Sequence, residues 1–376
     1  MIVARGTRSR YVAFPYSIAD VRIGLFTEQD SRAQGSLAAT VDALIANRPH
    51  DASIIEYSRT ANLGALRSAR ELVSRAAADR IDVVHVATRA PFAMIALLVA
   101  WRFGLPVIGS FQPHTSPTSG LFNAYLRGLV RQTRRLLVAS LAARTTLIGA
   151  GIDTSKVVLW RPGVDTSMFA PSKRSSALRE RWGVSDARPA VIYAGAVSND
   201  RGARRLLSME VALHRVRPMH QLIVAGDGPH RNELQARCPN AIFMGAVPRA
   251  AMPEVLASAD IFVCPSEASS TNLGVLEAQA AGLPVVVMEG GSARERVTDT
   301  TGRVCRSHAD FIVETAALVR TDARRTAMAL AARKYAKQQD WAAGLSAVYA
   351  EYRSAAEVSG ARRDFEPAFI AQSRRF

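Results

Sequence analysis

The sequence predicts an α/β protein of two similar units, each a parallel sheet with helices on both faces. Three observations carry this. The chain has 376 residues, too many for one ordinary domain and well suited to two. Short apolar runs alternate with segments of helical period. The runs are continuously apolar, as strands buried on both faces are, and do not alternate with polar residues.

Residues 1–20 lack pattern and read as an N-terminal extension. Val21–Phe26 is the first strong strand. A polar loop with Gly35 follows, then a helix over Ser36–Ala46. Asp82–Ala87 is a second strand, Phe92–Phe103 an apolar helix and Pro106–Phe111 a third strand. The apolar run Pro91–Trp101 is about half of the roughly 20 residues that span a membrane, so it reads as a buried helix. Residues 121–136 read as a basic amphipathic helix. Phe122, Tyr125, Leu126 and Leu129 share one face, and Arg127, Arg131, Arg134 and Arg135 the other. Such a helix either lies on an anionic membrane or packs on a core with its basic face in water. Pro171–Ala187 is the approach to a second series. Its strands are Ala190–Ala194, Gln221–Ala225, Ala241–Met244, Ile261–Pro265 and Pro284–Met288. From Ala323 onward the chain is helical, and its last twenty residues are basic and unpatterned. The expected division is a first unit over 21–170, a second over 171–340, and a C-terminal helix with a basic tail over 341–376. Two Rossmann-like units placed face to face bring the carboxyl ends of their strands to one cleft, where ligands of such sheets bind.

Composition narrows the function. Hydrophobic residues make up 48% and charged residues 21%, which is a folded protein. Cys238, Cys264 and Cys305 are scattered without metal-ligand spacing, and a reducing cytoplasm is expected. Arg5, Arg8 and Arg10 are not followed by the apolar core of a signal peptide. The net charge of +16 suits nucleic acid, anionic lipid or phosphorylated small molecules, or reflects a basic proteome. No aromatic interleaving or motif supports nucleic acid.

The chain has no G-x-x-x-x-G-K-[ST] phosphate loop, no G-x-S-x-G elbow and no H-E-x-x-H. It also has no G-x-G-x-x-G and no Asp-x-Asp pair for a divalent metal. The informative stretch is Pro265–Val287, PSEASSTNLGVLEAQAAGLPVVV. A strand ends at Pro265, a small polar loop follows, and a helix starts near Asn272. Free amides at a helix start form an anion site. Glu277, one turn or so inside, can accept two ribose hydroxyls; the alternative is an ordinary surface glutamate near a helix start.

This segment resembles the family-4 glycosyltransferases, in particular the mannosyltransferase and sulfolipid-synthase subgroup. Leu276-Glu277-Ala278-Gln279-Ala280 and Gly282-Leu283-Pro284-Val285 match its wording in place. Asp82–Thr88, Gly109-Ser110-Phe111, Arg161-Pro162-Gly163-Val164-Asp165 with Phe169, Gly226-Asp227-Gly228-Pro229, and Gly290-Gly291 with Glu295 resemble further family motifs in order. The resemblance implies a GT-B fold, two Rossmann-like domains facing across a cleft. It implies a retaining, metal-independent transfer of a hexose from a UDP- or GDP-linked sugar to a lipid, glycan or small-molecule hydroxyl, with no cofactor. It places Glu277 on the ribose and Arg201 on the diphosphate. Gly35, Asn272, Leu273 and Gly274 would bring backbone to the phosphates, beside the Gly195–Gly202 segment. A peripheral membrane contact through 121–136, at the inner face of the plasma membrane, would fit a lipid-linked acceptor.

Three positions depart from the family pattern. Ser269 stands eight residues before Glu277, where a glutamate grips the donor sugar, and Glu267 lies two residues earlier. Ala196 replaces a diphosphate arginine. Gln112 replaces an acceptor-side histidine, with His114 two residues on. The catalytic candidates are therefore His114, Gln112 and Glu267. The alternative function is a catalytically degenerate homologue acting as a binding or partner subunit.

Overall fold

The computed structural model describes residues 20–27, 36–58, 65–88, 92–111, 128, 130–216, 219–267 and 273–365. The first unit runs β1 (Val21–Thr27), α1 (Ser36–Ala46), β2 (Ala52–Ser58), α2 (Ala65–Asp79), β3 (Val83–Val86), α3 (Phe92–Phe103), β4 (Val107–Phe111), β5 (Thr133–Val138), α4 (Leu141–Gly149) and β6 (Val157–Leu159). Its six strands are all parallel, in the order β2-β1-β3-β4-β5-β6.

The second unit runs α5 (Ser176–Arg181), β7 (Ala190–Ala194), α6 (Ala203–Val216), β8 (Gln221–Ala225), α7 (Arg231–Arg237), β9 (Ile242–Gly245), α8 (Met252–Ala257), β10 (Ile261–Cys264), α9 (Leu273–Ala280), β11 (Val285–Met288), β12 (Gly302–Cys305), α10 (His308–Arg320) and α11 (Asp322–Ala336). The strand order is β12-β11-β10-β7-β8-β9, so the order reverses between β7 and β10. In such sheets the crevice outside the carboxyl ends at the reversal is the ligand site.

Both sheets bury apolar runs on both faces, as expected. In the second, Ile192, Ile223, Phe262, Val285 and Val287 face one core. Val191, Leu222, Val224, Val263 and Val286 face the other. The two sets are out of phase by one residue along each strand, which is the period of a strand.

Two sequence expectations need correction. Residues 121–136 do not form one helix: Thr133–Val138 is strand β5, between β4 and β6. Leu136, Leu137 and Val138 are buried in the sheet interior. Neighbouring strands on both sides satisfy their backbone groups, and this outweighs the local helical period. Arg134 and Arg135 therefore belong to a strand, and Arg135 Nε donates to Glu351 at 3.1 Å. Residues 121–127 lie outside the described residues. The run ending at Trp101 is not buried all round either, because Met94, Leu98 and Trp101 of α3 are exposed.

The last helix, α12 (Trp341–Phe365), leaves the second unit and packs on the first. Trp341, Leu345, Val348, Tyr349, Tyr352 and Ala355 recur at helical spacing and join Val21, Ile23, Leu25, Val83 and Ile108 in one core. Polar contacts fix the register. Tyr349 hydroxyl donates to Leu44 O at 2.6 Å, and Arg353 makes a two-pronged pair with Asp51 at 2.8 and 2.9 Å. The helix crosses the linker at two glycines. A Cβ on Gly344 would strike Arg161 O, and one on Gly163 the backbone of Trp341. The glycine of Arg161-Pro162-Gly163 is therefore a crossing point.

Candidate active site

A cavity of about 450 Å³ opens at the carboxyl ends of β7 and β10. Three loops build it. The first is Gly195–Arg201 after β7. Tyr193 hydroxyl donates to Ala196 O at 2.7 Å, and Val197 N donates to Asp227 O at 2.9 Å. Burial keeps the Tyr193 phenol protonated, so it stays a donor. The second loop is Gly226–Pro229 after β8. A Cβ on Gly226 would collide with Gly195 O, so only glycine lets the two loops touch. The third follows β10, where Cys264 and Ser266 line the wall.

Leu273 and Gly274 open α9 on the cavity wall, and Glu277 follows one turn later. The free amides of the first turn and the positive end of the helix therefore lie at the cavity. Glu277 is 7% exposed, so it is not an ordinary surface glutamate. It accepts a hydrogen bond from Arg249, which also lines the cavity. Burial raises the Glu277 carboxyl above the usual glutamate range, and the Arg249 charge and hydrogen bond oppose the rise.

Arg249 lies 5.0 Å above the Phe169 ring. Phe169 is placed by a turn that Asp165 caps, accepting from Ser167 N and Met168 N, each at 2.9 Å. Arg333 of α11 ties this turn to the end of α9, donating to Thr166 O at 2.9 Å, Phe169 O at 2.8 Å and Ala280 O at 2.6 Å. Asp165 and Phe169 of the interdomain motif thus support the cation beside Glu277. Partial burial raises the Asp42 carboxyl of α1, and the Arg249 charge opposes that rise. A carboxyl of the first unit is therefore within electrostatic reach of a cation of the second.

The structure brings Gly195, Arg201, Leu273, Gly274 and Glu277 to one cavity. Ala196 lies on the same wall, where a family arginine is absent. Glu267 points elsewhere: it accepts from Arg205 Nη2 at 2.6 Å and packs on Gly290. Gly35, Gln112, His114, Ser269 and Asn272 lie outside the described residues. Sequence reasoning missed Arg249. Its only signal is an arginine in the loop between β9 and α8, 28 residues before its partner.

The first unit adds a buried polar chain. Ser110 Oγ is 2.8 Å from His85 Nε2, and Tyr352 hydroxyl is 2.7 Å from His85 Nδ1. Burial drops the His85 pKa to about 4, so the ring is neutral and bridges a strand to α12. Glu295, four residues after Gly291, joins the units. Its carboxylate accepts from Leu141 N at 2.9 Å and Ala142 N at 3.0 Å, the open first-turn amides of α4.

Comparison with known proteins agrees with this construction. Residues 21–168 match the family described as Glycosyltransferase Family 4, and residues 188–332 match Glycosyl transferases group 1. A GDP-mannose-dependent alpha-mannosyltransferase of Mycolicibacterium smegmatis is 31% identical over 69% of this chain and 70% of its own. The chain belongs to the family-4 glycosyltransferases. A Mycobacterium tuberculosis protein of the same description is 34% identical, over 58% of this chain and 58% of its own. The alignment with a Corynebacterium glutamicum relative of that description also stays just under two thirds of the relative's length, at 65%. Among solved structures, HepE of Anabaena with UDP and glucose matches at a TM-score of 0.74 and 18% identity, covering 89% of this chain and 99% of HepE. Sucrose-phosphate synthase of Thermosynechococcus elongatus matches at 0.74 and 15%, covering 89% and 98%. The fold of this family-4 chain is GT-B.

Proposed function

We propose that the protein is a retaining, metal-independent hexosyltransferase that moves a sugar from a nucleoside diphosphate to a hydroxyl. The single observation that carries this is buried Glu277 one turn inside the helix that opens on the β7–β10 crevice. In this reading the carboxylate takes the ribose hydroxyls. The α9 amides and Arg201 take the diphosphate, and Val247, Met252 and Phe262 give the base an apolar slot. As the sugar leaves, charge grows on the diphosphate. Fixed dipoles and a cation stabilise it without reorganising. The leaving phosphate takes the acceptor proton on the same face, which retains configuration.

Donor and acceptor follow from chemistry and likeness. The mannosyltransferase relatives named for GDP-mannose make that donor the first to test, and UDP-glucose the second. The acceptor is a hydroxyl on a lipid, glycan or small molecule, reached at the cytoplasmic side of a membrane. A non-catalytic binding role is the second reading. It rests on Ala196 in the cavity wall and on the Arg249–Glu277 pair, which donor must share or open.

Thermal denaturation with millimolar GDP and UDP tests the site. The expected result is a rise in Tm that Glu277→Ala removes. No rise with either nucleotide would sink the reading. Release of nucleoside diphosphate from a donor panel, unchanged by EDTA, is expected of the transferase. Binding without release on any donor and acceptor would establish the second reading.

A further inference from the structure

Helix α3 carries an apolar stripe that the described chain leaves uncovered. Met94 is 55% exposed, Leu98 44% and Trp101 77%. They stand four and three residues apart, so they fall in one narrow band of the helix. The opposite face, with Phe92, Ala93, Ala96 and Val99, fills the core of the first unit. Among the described residues, the other exposed large apolar side chains, such as Leu141, Val313 and Leu330, stand singly. Single ones are ordinary surface, whereas a contiguous set marks a contact face.

Charge selects what the stripe meets. Arg102 borders it on the same helix, which has no acidic residue. Helix α2 shares the core beneath α3. Arg70, Arg75 and Arg80, on α2 and just after it, are exposed beside the single exposed acid Glu71. Of the other nearby acids, Asp79 pairs with Arg75 at 3.5 Å, so the positive edge rests on Arg70, Arg80 and Arg102. Asp79 accepts from Tyr57 hydroxyl at 2.6 Å, and Asp82 accepts from Arg22 N at 3.0 Å. A second copy of the chain would bring the same arginines and a net charge of +16, which opposes association through this face. An anionic bilayer meets both features. Lipid phosphates take the arginines, and an indole with two flexible aliphatic chains suits the headgroup boundary.

We propose that the α3 face docks the protein on an anionic lipid surface, with Met94, Leu98 and Trp101 entering at headgroup level. The contact is carried by a different element from the basic segment 121–136. It does not rest on the transferase reading, because lipid docking and nucleotide binding fail separately.

The chain contains its own reporter. Of four tryptophans, Trp160, Trp182 and Trp341 are 6%, 4% and 8% exposed, so a change of emission on vesicles reports Trp101. With vesicles of equimolar phosphatidylcholine and phosphatidylglycerol, the full chain is expected to co-sediment and its emission to move to the blue. The variant Met94→Ser/Leu98→Ser/Trp101→Ser is expected to bind roughly tenfold more weakly, with its Tm and its response to GDP and UDP unchanged. Arg102→Glu is expected to weaken binding while Trp101 still reports any insertion. Equal sedimentation of parent and triple variant would overturn the proposal. So would equal binding to pure phosphatidylcholine, or emission that vesicles leave unmoved. A parent dimer that the triple variant dissociates, without vesicle binding, would assign the face to a second copy and overturn it as well.

Discussion

The two units are built alike and held differently. The second sheet lies between two cores made by residues 164–336, a nearly continuous stretch that includes its own helices. The first sheet fills one of its faces with a helix from the far end of the chain: Trp341, Leu345 and Tyr352 pack on Ile23, Val83 and Ile108. The unit that holds the β7–β10 cavity thus draws both faces of its sheet from its own stretch, whereas the unit facing it depends on a returning helix. Because that helix also crosses the linker at Gly163 and Gly344, the stability of the first unit and the attachment of the two units share one element.

The largest expected effect tests that dependence. Tyr352 is fully buried, and Tyr352→Ala should cost about 3–5 kcal/mol, as large aromatic truncations do. Hydrogen exchange in urea should show the loss in the first unit while the second keeps its protection. Equal losses in both would break the comparison.

The next effect is a pH dependence confined to the first unit. His85 has a pKa of about 4 when folded and an ordinary value of 6.5. Between these values the unfolded chain binds a proton that the folded chain excludes, so stability is lost as pH falls through this window. The full loss is about 3 kcal/mol. Urea midpoints between pH 7 and pH 4 should show this slope, and His85→Gln should flatten it.

In the second unit the expected effect is on ligand, not on folding. Glu277→Gln keeps the shape but removes the charge that Arg249 and a ribose would share. A charged hydrogen bond is worth about 1.5–3 kcal/mol, so nucleoside diphosphate affinity should fall by one to two decades in calorimetry. The smallest effect sharpens the join between the units. Glu295→Ala uncaps α4 and should cost about 1 kcal/mol, read as a lowered Tm. Unchanged protection of Leu141 and Ala142 amides would show that the contact does not hold the units together.

Legibility followed the range of the interactions. Helices Ser36–Ala46 and Phe92–Phe103 and strands Ala190–Ala194 and Gln221–Ala225 stand where local period puts them. Strand β5 escaped because its arginines extend the helical pattern of the residues before it, and only pairing with β4 and β6 decides otherwise. Strand β12 escaped because Gly302 and Arg303 leave only Val304 and Cys305 as an apolar run at the sheet edge. In the site, Glu277, Gly274 and Gly195 were readable from a fixed local wording. Arg249 was not, since an ion pair between distant loops leaves no period.

The sequence by itself determined the two α/β units and the helix that points its first turn and a carboxylate at the crevice. The units follow from apolar runs and the helix from its local start, whereas the carboxylate's place was implied by the resemblance of Leu276–Ala280 to a family wording. Tertiary structure alone decided that Glu277 is paired with Arg249 and that Glu295 caps a helix of the other unit. It also decided that the last helix belongs to the first sheet, and that α3 leaves one face bare. Each depends on which surfaces meet after folding, and burial and charge pairing act through space, whatever the order of residues along the chain.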